Sequence, residues 1–370
     1  MPDPPTAGRL LVGLACLALL AGCAAGATAV PAPATPAPMS TAPVSAPTAV
    51  TNLPSPVAAA TVAPSASPFK YKKPLPVVTL PPVASLAPVV LASPMPVTAT
   101  HVPFTPKVAC SGGSYETGEM CQLSFSVYAP ASGGPWPLVV LVPGSSDSEK
   151  VSDIFDYADV GQAIAGQGAV VMVPQYRQDA GMGGGYPVTF QDIACAVGVA
   201  RRTAATYGAD PSRVTMVGHS YGGWAGAVVA LTPKPFTPAT GSCDPTAGSL
   251  RPDAFLGVDG AYAMVQNYGE EDILTPAVYA KEATRAAGLA ASDPSALAAK
   301  YPAGAGSIPI ELLHGARDSV VPLETSLGLD AALAANGYGS TLRLVPGADH
   351  YGAMLADQTV ATILALAKGQ

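Results

Sequence analysis

The stretch Val214-Thr-Met-Val-Gly-His-Ser-Tyr-Gly-Gly223 reads as a short buried strand, a sharp turn with a serine at its tip, and the start of a helix. Val214 to Val217 are apolar or β-branched, and Trp224-Ala-Gly-Ala-Val-Val-Ala-Leu231 downstream consists almost wholly of small and apolar residues, so both flanking elements are expected to be buried. A serine hydroxyl is a poor nucleophile unless the backbone holds it clear of its neighbours and beside a base. Gly218 and Gly222, two residues to either side of Ser220, provide that clearance, and the first amides of the helix point back at the serine. With 38 glycines in the chain, a G-x-S-x-G string arises by chance about a quarter of a time. The weight therefore rests on the strand before it, the helix after it, and partners elsewhere in the chain.

Outward from this stretch, Gln122 to Tyr128 alternates apolar residues with serine, the period of a half-exposed antiparallel strand. Leu138–Val142, Ala169–Val173, Val214–Val217, Phe255–Val258, Ile308–Leu313 and Thr341–Val345 are instead short continuous apolar runs, which suit parallel strands covered on both faces. Helical stretches fall between them at about 152–166, 190–207, 222–231, within 275–300, and at 323–335 and 353–368. Such alternation predicts an α/β fold with a doubly wound, mostly parallel sheet, whose ligand site gathers at the carboxyl ends of the strands.

Two of those ends carry chemistry. Leu313-His-Gly-Ala-Arg-Asp-Ser-Val-Val-Pro322 places Asp318 on the loop after one strand, and Pro346-Gly-Ala-Asp-His350 places His350 after the next. The chain has four histidines. His101 falls in the proline-rich tether described below. The side chain of His219 must diverge from that of Ser220, and His314 ends a strand, which leaves His350 to face the serine. The order Ser220, Asp318, His350 is that of an α/β-hydrolase triad.

On the GHSxGG elbow and the HGxxDxxVP acid loop, residues 120–370 resemble the α/β-hydrolase superfamily, in particular its esterase, lipase and dienelactone-hydrolase-like members. Val170-Val-Met-Val-Pro-Gln-Tyr-Arg177 and Tyr207-Gly-Ala-Asp-Pro-Ser-Arg-Val214 are similar to that family's approach to the elbow. The resemblance implies hydrolysis of a small-molecule or lipid carboxylic ester through an acyl-enzyme on Ser220, with His350 as base and Asp318 as its partner. It also implies an oxyanion hole made by the amides of Tyr221 and Ser145. Here Pro143-Gly-Ser-Ser146 stands where many relatives have His-Gly-Gly, and the nucleophile is serine rather than the cysteine of dienelactone hydrolases proper. Asp259, just beyond another strand, is the alternative acid. Tyr221, Trp224, Tyr262, Met264, Tyr268 and Tyr351 are candidates to line an acyl site, under a cap formed by 262–305. A prolyl-oligopeptidase-like peptidase and a catalytically silent surface binding module are the competing readings. No cofactor or metal is called for, and a monomer is expected.

The remaining chain bears on location. Arg9, an apolar run from Leu10 to Leu20 and Leu20-Ala-Gly-Cys23 read as a signal peptide over 1–23, and the ending resembles the lipobox of bacterial lipoproteins, with Cys23 lipidated. Cleavage near Ala25 without lipid is the alternative. Residues 24–106 hold roughly half of the 40 prolines and no Asp or Glu, the composition of a disordered tether, so a catalytic domain is expected over 107–370. In that domain 24 acidic residues face 14 basic ones, a net charge of −10, and no basic cluster invites a nucleic acid. Export to the cell envelope agrees with cysteine usage. Cys110, Cys121, Cys195 and Cys243 lack C-x-x-C spacing and are expected as two disulfides, Cys110–Cys121 across an early hairpin and Cys195–Cys243 between helical regions, the alternative being four buried thiols.

Overall fold

Strands and helices alternate as the apolar runs predict. In the computed structural model, which describes residues 82–110, 119–144, 157–178, 182–234, 236–244, 248–262, 288 and 291–370, the order is β1 (Ala84–Ser85), β2 (Val97–Ala109), β3 (Met120–Pro130), β4 (Trp136–Val142), α1 (Ala158–Gly166), β5 (Val170–Pro174), α2 (Val188–Thr203), β6 (Ala209–His219), α3 (Tyr221–Leu231), β7 (Ala254–Val258), α4 (Pro294–Lys300), β8 (Ile310–Gly315), α5 (Leu323–Ala335), β9 (Leu342–Val345), α6 (Gly352–Leu355) and α7 (Asp357–Ala367). The described strands form one nine-stranded sheet, ordered β1-β9-β8-β7-β6-β4-β5-β3-β2. From β1 to β5 along that order all neighbours are parallel; β3 and β2 complete the far edge antiparallel.

Both faces of the central strands are covered, which is why their sequences are continuously apolar. Leu138, Val140, Val142 and Met216 pack with Ile193 and Val197 of α2 and Trp224 and Val228 of α3. Val139, Leu141 and Val217 face the other way, onto Ile164 of α1 and Ile363 of α7. β4 and β6 are neighbours from which the chain leads away in opposite directions, through α1 to β5 and through α3 to β7, and this opens a crevice at their carboxyl ends, where such sheets take their ligands. The elbow follows β6, at this crevice.

The domain starts earlier than residue 107. β1 pairs with β9 at one edge, Met95 N–H donates to Gly166 C=O at 2.8 Å, and β2 pairs with β3 at the other edge, so 84–109 run from one side of the sheet to the other. The prolines of this segment signal a tether only by local rules. On an edge strand their missing N–H groups can face outward, and Pro103 and Pro106 flank a register shift. There the Thr105 hydroxyl accepts the Leu123 N–H at 3.0 Å in place of a ladder bond. His101 lies within β2, opposite Ser126, and not in a tether. The signal peptide, Cys23 and the tether as far as residue 81 lie outside the described residues.

Three smaller expectations change. β3 is mostly buried rather than half-exposed, being flanked by β2 and β5 with α1 packed on it. The last helix is broken at Ala356, whose extended backbone (φ −64°, ψ 136°) separates α6 from α7. Both disulfides form as Cys110–Cys121 and Cys195–Cys243, but Cys243 lies in the irregular segment after α3 and not on a helix.

Candidate active site

The elbow depends on its glycines. A Cβ on Gly218 would sit 2.3 Å from the Gly222 carbonyl oxygen, and one on Gly222 would sit 2.3 Å from the Val142 oxygen. No side chain fits where β6 turns straight into α3, so the turn exists only with glycine at both places. Ser220 itself is held at φ 55°, a conformation costing about 1–3 kcal/mol for a residue with a side chain. Its backbone repays some of that strain: Ser220 N–H donates to Val258 C=O at 3.1 Å, and its own carbonyl accepts the Gly223 and Ala261 amides at 3.0 and 3.1 Å. Among the described residues, the non-glycine residues at positive φ are Tyr157, Ser220 and Asp259, and all three stand by the carboxyl ends of the interior strands β4, β6 and β7.

Asp318 follows β8. Its Oδ1 accepts the Val320 and Val321 amides at 2.7 and 3.0 Å, and its Oδ2 accepts from His350 Nδ1 at 2.7 Å. Burial acts to raise the pKa of this carboxyl. The bond and charge of His350, helped by His314 and the Val321 amide, outweigh it and hold the group below the usual carboxylate range. Asp259 ends β7 and is fully buried. Its Oδ1 accepts the Gly315 N–H at 2.6 Å, while Oδ2 has no hydrogen-bond partner among the described residues. An oxygen of Asp259 and one of Asp318 lie within 4.8 Å of each other. Burial first, and then the charge of Asp318, push Asp259 well above the carboxylate range. The ring of His350 thus bonds Asp318, and the alternative acid stands within 4.8 Å of that carboxylate with its pKa pushed the other way.

His314 is structural. Its Nε2 lies 3.1 Å from the Val321 carbonyl and its Nδ1 2.9 Å from Ser326 Oγ, and burial pushes its pKa down to about 4. It braces the loop that carries Asp318.

The loop after β4 runs directly past the serine: a Cβ on Gly144 would lie 3.0 Å from Ser220 Cβ. Side chains hold its backbone. Tyr176 donates its hydroxyl to Pro143 C=O at 2.6 Å, Gln178 Nε2 donates to Gly144 C=O at 2.9 Å, and the Tyr157 hydroxyl accepts the Gly144 N–H at 3.0 Å. Ser145 lies outside the described residues. Tyr221 is the first residue of α3, and its hydroxyl donates to Gln178 C=O at 2.7 Å. His219 turns away from Ser220, as expected, with Nδ1 2.7 Å from the Tyr157 hydroxyl and Nε2 2.8 Å from the His350 carbonyl.

Sequence reasoning missed Tyr157, Tyr176 and Gln178. The only signal was indirect, since Tyr176 lies in the segment Val170–Arg177 that leads towards the elbow. Of the proposed pocket aromatics, Tyr221, Trp224 and Tyr262 are buried, Trp224 with its Nε1–H on the Ser292 carbonyl at 2.8 Å. Tyr351 is exposed and donates to Asp159 Oδ1 at 2.7 Å. Met264, Tyr268 and most of the expected cap lie outside the described residues.

Residues 125–333, more than half of the chain, match the profile of the BD-FAE family. The chain belongs to that family. BD-FAE is an esterase family of the α/β-hydrolase type, and membership makes the chain a carboxylic ester hydrolase. No curated protein sequence matches it. Among solved structures it is similar to an acetyl ester-xyloside bifunctional hydrolase from Caldicellulosiruptor lactoaceticus (19% identity, 72% of this chain and 96% of that one, TM-score 0.52). It is also similar to a thermophilic esterase from the Planctomycetes species Thermogutta terrifontis (21%, 70% and 90%, TM-score 0.50) and to a truncated carbohydrate esterase from gut microbiota (18%, 72% and 96%, TM-score 0.50). At such identities the likeness is one of fold, and the BD-FAE profile is what assigns the chemistry.

Proposed function

We propose that this BD-FAE member cleaves its ester through an acyl-enzyme on Ser220. His350 takes the proton from Ser220 Oγ as the hydroxyl attacks the carbonyl carbon, and Asp318 orients the ring and stabilises the imidazolium. The same proton then goes to the leaving alcohol. Water adds to the acyl-enzyme by the reverse roles, His350 accepting its proton and returning one to Ser220 as the acid departs. The tetrahedral oxyanion is held by the Tyr221 and Ser145 amides, each such donor being worth about 3 kcal/mol. The observation that carries this reading is the 2.7 Å bond from His350 to Asp318, at the strand ends where the strained elbow presents Ser220. A bond to Asp318 through Nδ1 leaves Nε2 as the nitrogen for the serine.

The enzyme works at the cell envelope, attached by lipid at Cys23 and spaced from the membrane by the proline-rich segment before residue 82. Its substrates are small or lipid esters; acyl-decorated carbohydrates join that set because two of the similar folds carry such activities in their names. Membership of an esterase family sets the peptidase reading aside.

The test uses the full-length chain, because β1 and most of β2 precede residue 107. Hydrolysis of p-nitrophenyl esters and acetylated sugars, blocked by a serine-directed phosphonate that labels Ser220 and lost in Ser220→Ala, is the expected result. Turnover that survives Ser220→Ala unchanged would refute the assignment. Release of Cys23→Ser from the membrane fraction of a producing bacterium tests the anchor.

A further inference from the structure

We propose that the Tyr157 hydroxyl is a positioning residue for this hydrolysis, tying the loop at Gly144 to the loop at His350 through the side chain of His219. The proposal rests on the triad reading above. Its basis is a chain of three hydrogen bonds: Gly144 N to Tyr157 Oη at 3.0 Å, Tyr157 Oη to His219 Nδ1 at 2.7 Å, and His219 Nε2 to the His350 carbonyl at 2.8 Å.

The hydrogens of this chain have one arrangement. A backbone amide can only donate, so the Tyr157 oxygen accepts from Gly144. A carbonyl can only accept, so His219 carries its proton on Nε2 and presents a lone pair at Nδ1. The single Tyr157 proton then goes to that lone pair, and each group is used once. Protonating His219 would leave two donors facing across the Tyr157–His219 contact. Burial, with the nearby His350 as the next cause, pushes the His219 pKa down to about 3 and keeps the ring neutral.

The three bonds connect parts that must be held in register for ester hydrolysis. Gly144 precedes the residue whose amide is assigned to the oxyanion, His219 precedes the nucleophile, and the carbonyl bonded by His219 belongs to the base itself. The same end of α1 grips the base loop a second time, through Tyr351 to Asp159 and an edge-on contact of Tyr157 with Tyr351 at 5.5 Å between ring centroids. Tyr157 is held at φ 46° to deliver its hydroxyl there. A strained tyrosine at the N-cap of a helix whose side chain makes no capping bond there is what a site-bound function leaves behind.

The experiment compares the full-length wild type with Tyr157→Phe, His219→Gln and the double variant. Phe removes only the hydroxyl. The Gln amide NH2 can reach the His350 carbonyl but offers Tyr157 no acceptor at the Nδ1 position, so both changes cut the same link. Turnover of p-nitrophenyl acetate is normalised to Ser220 sites titrated by the phosphonate, with KM measured in parallel. The expected result is a kcat per titrated site lower by about 10- to 100-fold in each single variant, KM within about twofold of wild type, and a double variant no slower than the slower single one. A Tyr157→Phe chain with normal kcat per titrated site, whether or not fewer sites titrate, overturns the proposal by making the hydroxyl merely structural. So do single effects that multiply in the double variant. A wild-type chain that takes no label overturns the triad reading and this proposal with it, whereas labelled wild type with an unaffected variant overturns the proposal alone.

Discussion

Asp259 and Asp318 follow neighbouring parallel strands, and their carboxyl groups come within 4.8 Å of each other, yet the surrounding structure moves their pKa values in opposite directions. Asp318 has two amides on one oxygen and the His350 ring on the other. Asp259 has one amide and an oxygen with no partner, in full burial. Two carboxyl groups this close disfavour each other's ionisation, and the one with the donors is the one whose pKa is lowered. Environment, and not residue type or place after the strand, separates the two acids, and the one with the lowered pKa is the one that bonds the histidine. The contrast is broken most severely by removing one charge at a time. Asp318→Asn is expected to lower kcat/KM by about 10³- to 10⁴-fold, because an amide cannot hold the histidine in its working tautomer. Asp259→Asn keeps the shape of the side chain and an acceptor for the Gly315 amide, and is expected to stay within a few-fold of wild type. Activities measured for both on a p-nitrophenyl ester decide the matter; the reverse ranking transfers the acid role to Asp259.

A second test sharpens the comparison from the histidine side. His314, braced against the Asp318 loop, and His219, bonded to the His350 carbonyl, are both buried and neutral, with pKa values pushed down to about 4 and about 3. Unfolding returns each to an ordinary pKa of about 6.5, so below that pH the unfolded chain binds more protons than the native one. Stability is therefore fully present above pH 6.5 and is lost as pH falls towards the folded values, by up to about 2.7 kcal/mol per pH unit for the two together. Chemical denaturation of the Asp259→Asn chain between pH 7 and pH 5 measures this slope without the contribution of that carboxyl. A flat profile would mean that neither ring is buried neutral.

How much of this was visible in the sequence follows from what each feature depends on. The elbow was legible because its requirement is local: Gly218 and Gly222 must be glycine within a few residues of Ser220. The meeting of Asp318 with His350 was legible because each follows an apolar run that ends in a glycine-bearing loop, and strand ends converge in a parallel sheet. Tyr157, Tyr176 and Gln178 left no such mark. They are ordinary residues in separate segments, and only the tertiary fold brings them around Gly144. β2 was misread for a related reason, since Pro103 and Pro106 argue against a strand until the strand is known to lie at the edge. Between Asp259 and Asp318 the sequence favoured the latter by its loop but left both open. Their separation rests on which amides reach which oxygen, and spacing does not encode that.

The smallest expected effect tests the charge state of Asp259 without touching catalysis. Because its folded pKa is raised, the stability it contributes is fully present below the unfolded carboxylate value of about 4 and is lost as pH rises, when the unfolded chain ionises and the native chain does not. The loss continues until the folded group itself titrates. Asp259→Asn has no proton to lose. Its Oδ1 still accepts the Gly315 amide, and its NH2 takes the place of the unpartnered oxygen and can donate towards Asp318. The variant is expected to match wild type near pH 4 and to become the more stable of the two as pH rises above it, in denaturant titrations run in parallel. An ionised Asp259 predicts the opposite, since the substitution would then remove a charge the fold has arranged to hold, and the variant would be the weaker chain across that whole range.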